Sequence, residues 1–272
     1  MEKPSTPISR RLWAKLLVAG ILLFSATLTA SHLTGNPNLF PTLLLVGAFT
    51  IPVAFVVFVY EHEVHEEVPM TCLATCFLAG GAIGVIFAGV IEFETLRSAS
   101  IIGLLLVGLI EESCKLILPM FQYFRGQYRH QADGLLFGVA AGMGFAALET
   151  MGYGMTAAIE SGGDIASVSQ ILLIRGLLSP AGHAAWTGLI TAVMWRERER
   201  HSRGLLSPPV LLAFAGAILL HFLWDFVNSM AGTTLASFII ATVGLLIISV
   251  LSLTLLVRRI REAKRHQESV LS

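Results

Sequence analysis

Charged residues are scarce in this sequence, and the shortage decides the class of protein. Asp, Glu, Lys and Arg together make up 13% of the 272 residues, whereas a soluble domain carries about 25%. Hydrophobic residues reach 55%, and the mean hydropathy is +0.76. A soluble domain is therefore excluded, and a polytopic membrane protein is indicated. The 18 basic and 18 acidic residues cancel, so the charge balance suggests no nucleic-acid partner.

Cysteine is also rare. Cys72, Cys76 and Cys114 all lie in apolar segments, a pattern that gives neither a disulfide framework nor a thiolate metal site. Cys114 has acidic neighbours, which disfavour a nucleophilic thiolate. A convincing internal repeat is missing as well, which counts against a transporter built from two related halves.

Long apolar runs dominate the chain. Runs long enough to cross the hydrocarbon core, which takes about 20 residues, occur at eight places. The predicted spans are 12–31, 39–60, 70–92, 101–123, 133–156, 169–195, 209–229 and 233–257. Each is predicted to be helical because backbone polar groups in lipid must be satisfied within the segment. The predicted fold is an all-α, polytopic membrane helix bundle with about eight transmembrane helices.

The spans are interpreted as one integral-membrane domain over residues 1–272, with the functional motifs in a core of about 40–230. The C-terminal helix 233–257 is followed by a basic tail, 258–265, which is predicted to anchor that helix at anionic lipid headgroups. Placing the N-terminus in the cytoplasm puts fifteen Lys and Arg residues on the cytoplasmic side and only Arg97 on the other. This bias predicts that both termini are cytoplasmic.

Three charges interrupt the fourth apolar run: Glu111, Glu112 and Lys115. In lipid such a charge costs roughly 2.5–3.5 kcal/mol, so charged residues within spans normally face a protein interior or a water-filled cavity. Lys115 follows Glu111 by four residues and Glu112 by three, so the three side chains share one helix face. Lys115 can offset the charge of one carboxylate, which leaves the other free to point elsewhere.

Five further polar residues lie within spans: Glu149, Arg175, His183, His221 and Asp225. Counting from the predicted helix ends at 1.5 Å per residue places Glu149, His183 and His221 in the same layer as the glutamate pair, between the midplane and the outer surface. We expect these side chains to share one cavity. Arg175 is predicted to form a structural ion pair or to reach the interface, and Asp225 to orient His221 in preference to ligating a metal.

Two prolines lie near this layer. Pro119 removes the hydrogen bond that would go to the Lys115 carbonyl, and Pro180 frees the carbonyl of Gly176. Such kinks are tolerated where the freed carbonyl lines a wet cavity, and an ordinary membrane-helix kink is the alternative interpretation.

Two other patterns are interpreted as structural. The acidic stretch 61–67 contains two histidines and could bind a metal, but a solvated turn at a helix end is the preferred interpretation. Gly134, Gly138 and Gly142 repeat at helical spacing, which lets helix backbones approach closely. Packing within the bundle is favoured over a dimer interface for this stripe.

The polar residues resemble the four motifs of the PrsW family of intramembrane proteases, in order and on successive spans. The matching residues are Glu111-Glu112-x-x-Lys115, Phe145-x-x-x-Glu149, a lone His183 and His221-x-x-x-Asp225. The family shares a clan with the CAAX prenyl endopeptidases and the bacteriocin-immunity-type membrane proteases. The sequence departs from the CAAX pattern at three positions, each time toward the PrsW type. Lys115 comes one position early, Glu149 stands in place of a histidine, and Asp225 stands in place of an asparagine.

The resemblance implies an intramembrane endopeptidase of the bacterial cytoplasmic membrane that cleaves a membrane-anchored protein near the outer boundary. Family members of this kind act on single-pass anti-sigma factors, so the implied partners are membrane lipid and a single-pass protein substrate. The family is often classed as metalloprotease, whereas clan relatives have been described as glutamate-dependent hydrolases without a catalytic metal. No oligomeric state is implied.

The predicted site residues are Glu111, Glu112, His183 and His221 as catalytic groups, with Lys115, Phe145, Glu149 and Asp225 in support. Glu111 or Glu112 is predicted to be the general base that activates water. The two histidines either stabilise the oxyanion of the scissile carbonyl or ligate zinc together with Glu149. The metal-assisted form is the preferred hypothesis.

Two functions of other classes are the alternatives. A proton- or ion-coupled transporter also uses intramembrane Glu, Asp, His and Lys, but the missing repeat and the adjacent glutamate pair count against it. A catalytically silent membrane scaffold is the third hypothesis, and the intact motifs count against it.

Overall fold

The computed structural model describes residues 11–62, 68–95, 101–202, 204–232 and 234–271, and within these residues all regular structure is helical. The helices are α1 (Leu12–Thr34), α2 (Phe40–His62), α3 (Met70–Thr75), α4 (Gly81–Thr95), α5 (Ile101–Lys115), α6 (Ile117–Arg125), α7 (Gln131–Glu160), α8 (Ile165–Leu178), α9 (His183–His201), α10 (Pro208–Ser229) and α11 (Leu235–Leu271). A π-helical turn, Cys76–Gly80, joins α3 to α4, and 3-10 turns, Pro37–Leu39 and Ser179–Ala181, precede α2 and α9. The predicted all-α fold is confirmed.

Seven helical stretches of the described residues are long and apolar enough to cross a membrane. They are Leu12–Thr34, Pro37–His62, Met70–Glu94, Gln131–Glu160, Ile165–His201, Pro208–Ser229 and Leu235–Ser269. The remaining predicted span, the fourth (101–123), coincides with α5 and α6, two shorter helices that are separated at Leu116. The polytopic bundle is confirmed, and one predicted span is interrupted beside its charged residues.

The interruption between α5 and α6 precedes Pro119. Proline has no N–H to donate to the carbonyl four residues earlier, so the Lys115 carbonyl loses its helical partner. On either side of the break, the Leu116 N–H donates to the Ser113 carbonyl at 3.2 Å, and the Met120 N–H donates to the Leu116 carbonyl at 2.8 Å. The chain therefore passes from one helix to the next immediately after Lys115.

A second break divides α8 from α9, so the predicted span 169–195 is two helices in succession. Pro180 leaves the Gly176 carbonyl without its helical N–H donor, and the Ser179 hydroxyl donates to that carbonyl at 2.8 Å. Helix α9 begins at His183, directly after the turn. The freed carbonyl is therefore satisfied by a side chain of the same turn.

Helix α7 is the most buried helix near the site, and it packs along α9. The side that faces α9 carries Gly134, Gly138 and Gly142. A Cβ atom at Gly142 would overlap the carbonyl oxygen of His183, and one at Gly134 would overlap the ring of Trp195. The predicted close-packing stripe is confirmed as internal to the bundle.

Glu61 ties the start of α1 to the end of α2. Its carboxylate accepts hydrogen bonds from the backbone N–H groups of residues 11–13, at 2.7 to 3.3 Å. These N–H groups have no partner within their own helix. Glu61 therefore has a structural role. The rest of the acidic stretch, 63–67, lies outside the described residues, as does Arg97.

Helix α11 continues to Leu271, well past the predicted end at residue 257. The apolar run stops at 257, but Arg, Lys and Glu are good helix formers, so the helix does not stop there. Leu256, Ala263 and Gln267 are buried. The basic tail is therefore a helical extension that packs one face against the protein.

Candidate active site

Lys115 lies at the centre of a buried ion cluster on α5. Its Nζ is 2.8 Å from Glu112 Oε1 and 3.0 Å from Glu111 Oε2, and neither Lys115 nor Glu112 has any exposed surface. The ammonium also lies 4.3 Å from the centre of the Phe145 ring, a cation–π contact. Lys115 was predicted to offset the charge of one carboxylate and to leave the other free to point elsewhere. The three- and four-residue spacings bring both carboxylates within its reach.

His221, on α10, bridges the two glutamates. Its Nδ1 lies 3.0 Å from Glu112 Oε1, and its Nε2 lies 3.6 Å from Glu111 Oε2. Asp225, one helical turn later, places Oδ2 3.5 Å from the same Nε2, in line with its predicted orienting role. The indole of Trp186 stacks on the imidazole at 4.6 Å. The ring of His221 is therefore held by carboxylates at both nitrogens and by an aromatic face.

Glu112 has both carboxylate oxygens engaged. Its Oε1 faces Lys115 and His221, and its Oε2 accepts a hydrogen bond from the Thr187 hydroxyl of α9 at 3.3 Å. These contacts join α5 to α9 and α10. Glu112 is thus enclosed by protein groups on every side that its oxygens face.

Glu149, on α7, organises the second half of the site. Its Oε2 lies 2.8 Å from Arg175 Nη2 of α8 and 3.2 Å from His183 Nε2 of α9. The predicted ion pairing of Arg175 is confirmed, and its guanidinium also lies 4.0 Å from the centre of the Tyr153 ring. The other ring nitrogen of His183, Nδ1, is buried and has no hydrogen-bond partner among the described residues.

Among the described residues, Glu111, Glu149 and His183 form a group that can hold a metal ion. Each offers one ligand atom, and these atoms lie within 4.8 Å of one another. His221 was predicted as a ligand with Glu149 and His183, but it is not part of this group. Glu111 lies beside Glu149 and His183 in this group. One imidazole and two carboxylates are ligands that zinc and other divalent cations accept, so the donor set fits a cation.

Two cavities meet at these residues. One, of about 320 Å³, reaches Asp225, Asn228 and Ser229 at the end of α10. The other, of about 280 Å³, lies between α4 and α7. The two cavities share the lining residues Glu92, Glu111, Glu149 and Tyr153. Glu111 therefore borders both cavities, whereas Glu112 borders neither.

Glu92, on α4, is a site residue that the sequence prediction missed. The predicted span ended at this residue, so its carboxylate looked like a boundary charge, but α4 continues beyond it. Its Oε1 is buried without a hydrogen-bond partner among the described residues. Gly84 and Ala88 precede Glu92 at four-residue spacing, and this spacing is the signal that could have placed Glu92 on the same helix face as those two residues.

Carboxylates and histidines gather around cavities inside a membrane helix bundle, and these are the side chains that general acid–base chemistry uses. Residues 68–255 match the family described as PrsW family intramembrane metalloprotease, and the chain belongs to this family. It is 29% identical over 202 residues to the protein named Protease PrsW of Shouchella clausii (strain KSM-K16). The aligned residues cover 70% of this chain and 85% of that protein. No solved structure matches the chain. The predicted family and the intramembrane protease class are confirmed, and the transporter and scaffold alternatives gain no support.

Replacing Lys115 with Met should lower the free energy of unfolding by about 3–5 kcal/mol, because removing one partner of a buried ion pair leaves an uncompensated buried charge. The double variant Lys115→Met/Glu112→Gln should recover part of this loss. Unfolding with SDS in detergent micelles measures both values. Lys264→Met, on the extension of α11, is the control and should stay within about 0.5 kcal/mol of the parent. Equal free energies of unfolding for Lys115→Met and Lys264→Met would contradict a stabilising role of the buried ion cluster.

Proposed function

We propose that this chain hydrolyses a peptide bond of a single-pass membrane protein, with Glu111 as the general base that activates water. The observation that carries the proposal is the difference between the two adjacent glutamates. Glu111 borders both cavities, whereas the oxygens of Glu112 are engaged by neighbouring side chains. A general base must come within hydrogen-bond reach of the water that it deprotonates. This requirement favours Glu111, which borders the cavities, over Glu112, which borders neither.

Glu112 acts as a positioning residue in this proposal. Its Oε1 holds His221 by Nδ1 at 3.0 Å, which leaves Nε2 on the side of Glu111. Lys115 balances part of the charge of the glutamate pair. Asp225 limits the rotation of the imidazole from the cavity side.

The proposed reaction consumes one water. Glu111 takes a proton from the water while the water oxygen attacks the scissile carbonyl carbon. This attack produces a tetrahedral intermediate with a negatively charged oxygen. His221, which lines the same cavity, donates a hydrogen bond to that oxygen. The C–N bond then breaks, and the proton held by Glu111 passes to the leaving amine. The products are a carboxylic acid and an amine, and Glu111 is restored.

Glu149 and His183 are proposed to hold a divalent cation beside Glu111. The buried Nδ1 of His183 without a hydrogen-bond partner among the described residues supports this role, as does the close grouping of the three side chains. When bound, a cation such as zinc supplies Lewis-acid polarisation of the scissile carbonyl. Glu111 is the proton acceptor of the water in the same proposal.

The position of the site favours cleavage near the outer membrane boundary. If both termini are cytoplasmic, as the distribution of Lys and Arg predicts, α10 runs outward. Its last residues, Asn228 and Ser229, line the larger cavity. The substrate class that we propose is the one that the family resemblance implies, a protein with one membrane helix, of the anti-sigma-factor type, in the bacterial cytoplasmic membrane. Its scissile peptide bond would lie at this level.

The groove between α4 and α7 is proposed as the entrance for that substrate helix. Gly89 and Gly152 line it, and both are exposed. A Cβ atom at either glycine would have no atom of the described residues within 4 Å. The groove leads to Glu111 and Glu149, where it meets the cavity that contains the polar end of α10. Peptide and water can thus approach the same carboxylate from different sides.

Glu111→Gln should lower cleavage of a single-pass membrane substrate by about 10²-fold or more, since general acid–base catalysis contributes typically 10²–10⁴-fold. The amide keeps the size of the side chain but cannot accept the proton. Purified protein and substrate in proteoliposomes, followed by the appearance of the cleaved fragment, give the measurement. The matched control is Glu94→Gln, an exposed residue of α4 that should keep full activity. Full activity of Glu111→Gln would remove Glu111 as the base.

The metal content of variants distinguishes two ligand sets. The structure proposes Glu149 and His183, and the sequence predicted His221 in addition. Protein reloaded with zinc and washed free of excess should hold about one ion per chain. His183→Ala and Glu149→Gln should lose it, whereas His221→Ala should keep it, because His221 lies outside the ligand group. Elemental analysis measures this. Loss in His221→Ala would favour the sequence-based ligand set, and full cleavage by metal-free protein would exclude the cation from the mechanism.

Gly89→Leu and Gly152→Leu should lower cleavage of a membrane-spanning substrate roughly ten- to a hundredfold, since a misplacement of about 1 Å already costs up to 10²-fold. Thermal stability should not fall, because a Cβ atom at either position meets no described atom and leucine is a better helix former than glycine. Gly216→Leu, on α10, is the matched control, since a Cβ atom there would also have no described atom within 4 Å. Unchanged cleavage in all three variants would place the entrance elsewhere.

A further inference from the structure

A basic pocket lies at the far end of α9 from His183, about 25 Å along the helix. It has a volume of about 460 Å³ and is lined by Arg200, Arg258, Arg259, Glu262, Arg265 and His266. Four arginines against one glutamate leave an excess of positive charge. The pocket is distant from the candidate active site, and the protease reaction does not use it.

Glu262 gathers the guanidinium groups of the pocket to one point. Its Oε1 lies 3.3 Å from Arg200 Nη1 and 3.5 Å from Arg196 Nη1, and its Oε2 lies 2.7 Å from Arg259 Nη1. Arg200 is also fixed by Gln131 of α7, whose Oε1 accepts from Nη2 at 2.7 Å. Arg196 is also paired with Glu197, at 2.8 Å, and His266 faces Glu199 at 3.6 Å. Glu262 is therefore left to Arg200 and Arg259, and the four arginines of the lining still exceed its one carboxylate.

The extension of α11 holds the remaining arginines in place. Ala263 and Gln267 are buried against the protein, which sets the rotation of the helix. Arg258 and Arg265, seven residues apart on this helix, are exposed and line the pocket. Neither forms an ion pair with another described residue, so both are available to a ligand.

We propose that this pocket binds a phosphate-bearing anion, with the headgroup of an anionic phospholipid as its source. Guanidinium groups match phosphate oxygens in a bidentate manner. The pocket begins where the apolar run of α11 ends, at Val257 and Arg258, which is the level of the headgroups. Basic pockets between helices on the cytoplasmic side are suited to such headgroups. The proposal is a defined site that holds one lipid, in contrast to a general attraction between the tail and the membrane.

The test counts phospholipid retained by the purified full-length protein. Protein from nanodiscs of phosphatidylcholine mixed with phosphatidylglycerol is released and examined by native mass spectrometry. The parent should retain one phosphatidylglycerol in preference to phosphatidylcholine. Arg258→Gln/Arg265→Gln should lower that retention roughly tenfold. Size-exclusion chromatography verifies that each variant is folded.

The matched control is Arg261→Gln/Lys264→Gln, which removes the same charge from the same helix at residues that do not line the pocket. It should retain lipid as the parent does. Equal loss in the two double variants, or no preference for phosphatidylglycerol in the parent, would overturn the lipid site. If pyrophosphate stabilises the parent but not the Arg258/Arg265 variant in discs of phosphatidylcholine alone, and lipid shows no preference, the phosphate site stands and its ligand is a soluble phosphate compound.

Discussion

The buried contact between Lys115 and two adjacent glutamates is the interaction on which the rest of the site depends. One ammonium cannot neutralise two carboxylates, and an unpaired charge inside a membrane bundle is costly. His221 and Thr187 supply the missing partners from two other helices. The same contacts bring α9 and α10 against α5, so the need to satisfy Glu112 decides which helices meet. Glu111, the preceding residue of α5, is left at the edge of the two cavities.

Both helix breaks lie beside this cluster, and each is associated with a proline. Helix α5 ends at Lys115, and α9 begins at His183. Irregular backbone at membrane depth is tolerated where it is buried in protein or lines a cavity. The break at Pro180 lets α9 start at the level of the site. Gly142 of α7 then allows the first carbonyl of α9 to approach closely, because a Cβ atom there would overlap it.

Much of this fold could be predicted from the sequence, because the length of an apolar run and the position of a charge along it are one-dimensional properties. The rotation of each helix is not. Adjacent residues project about 100° apart around a helix, so the sequence could not tell whether Glu111 or Glu112 faces a cavity. For the same reason the sequence could not show that Glu111, and not His221, lies in one group with Glu149 and His183. Glu92 was missed because an acidic residue at the end of an apolar run resembles a boundary.

Hydrolysis within a membrane requires that water and a peptide reach one group by routes of opposite polarity. Glu111 lies where a cavity with the polar end of α10 meets a groove between two helices. A base that faced only the polar side would also be open to soluble peptides, and a base that faced only the groove would lack water. Glycine costs about 1 kcal/mol relative to Ala in a helix, and Gly89 and Gly152 have no packing neighbour among the described residues that requires it. Their small size leaves room along the groove, and that room ends at Glu111.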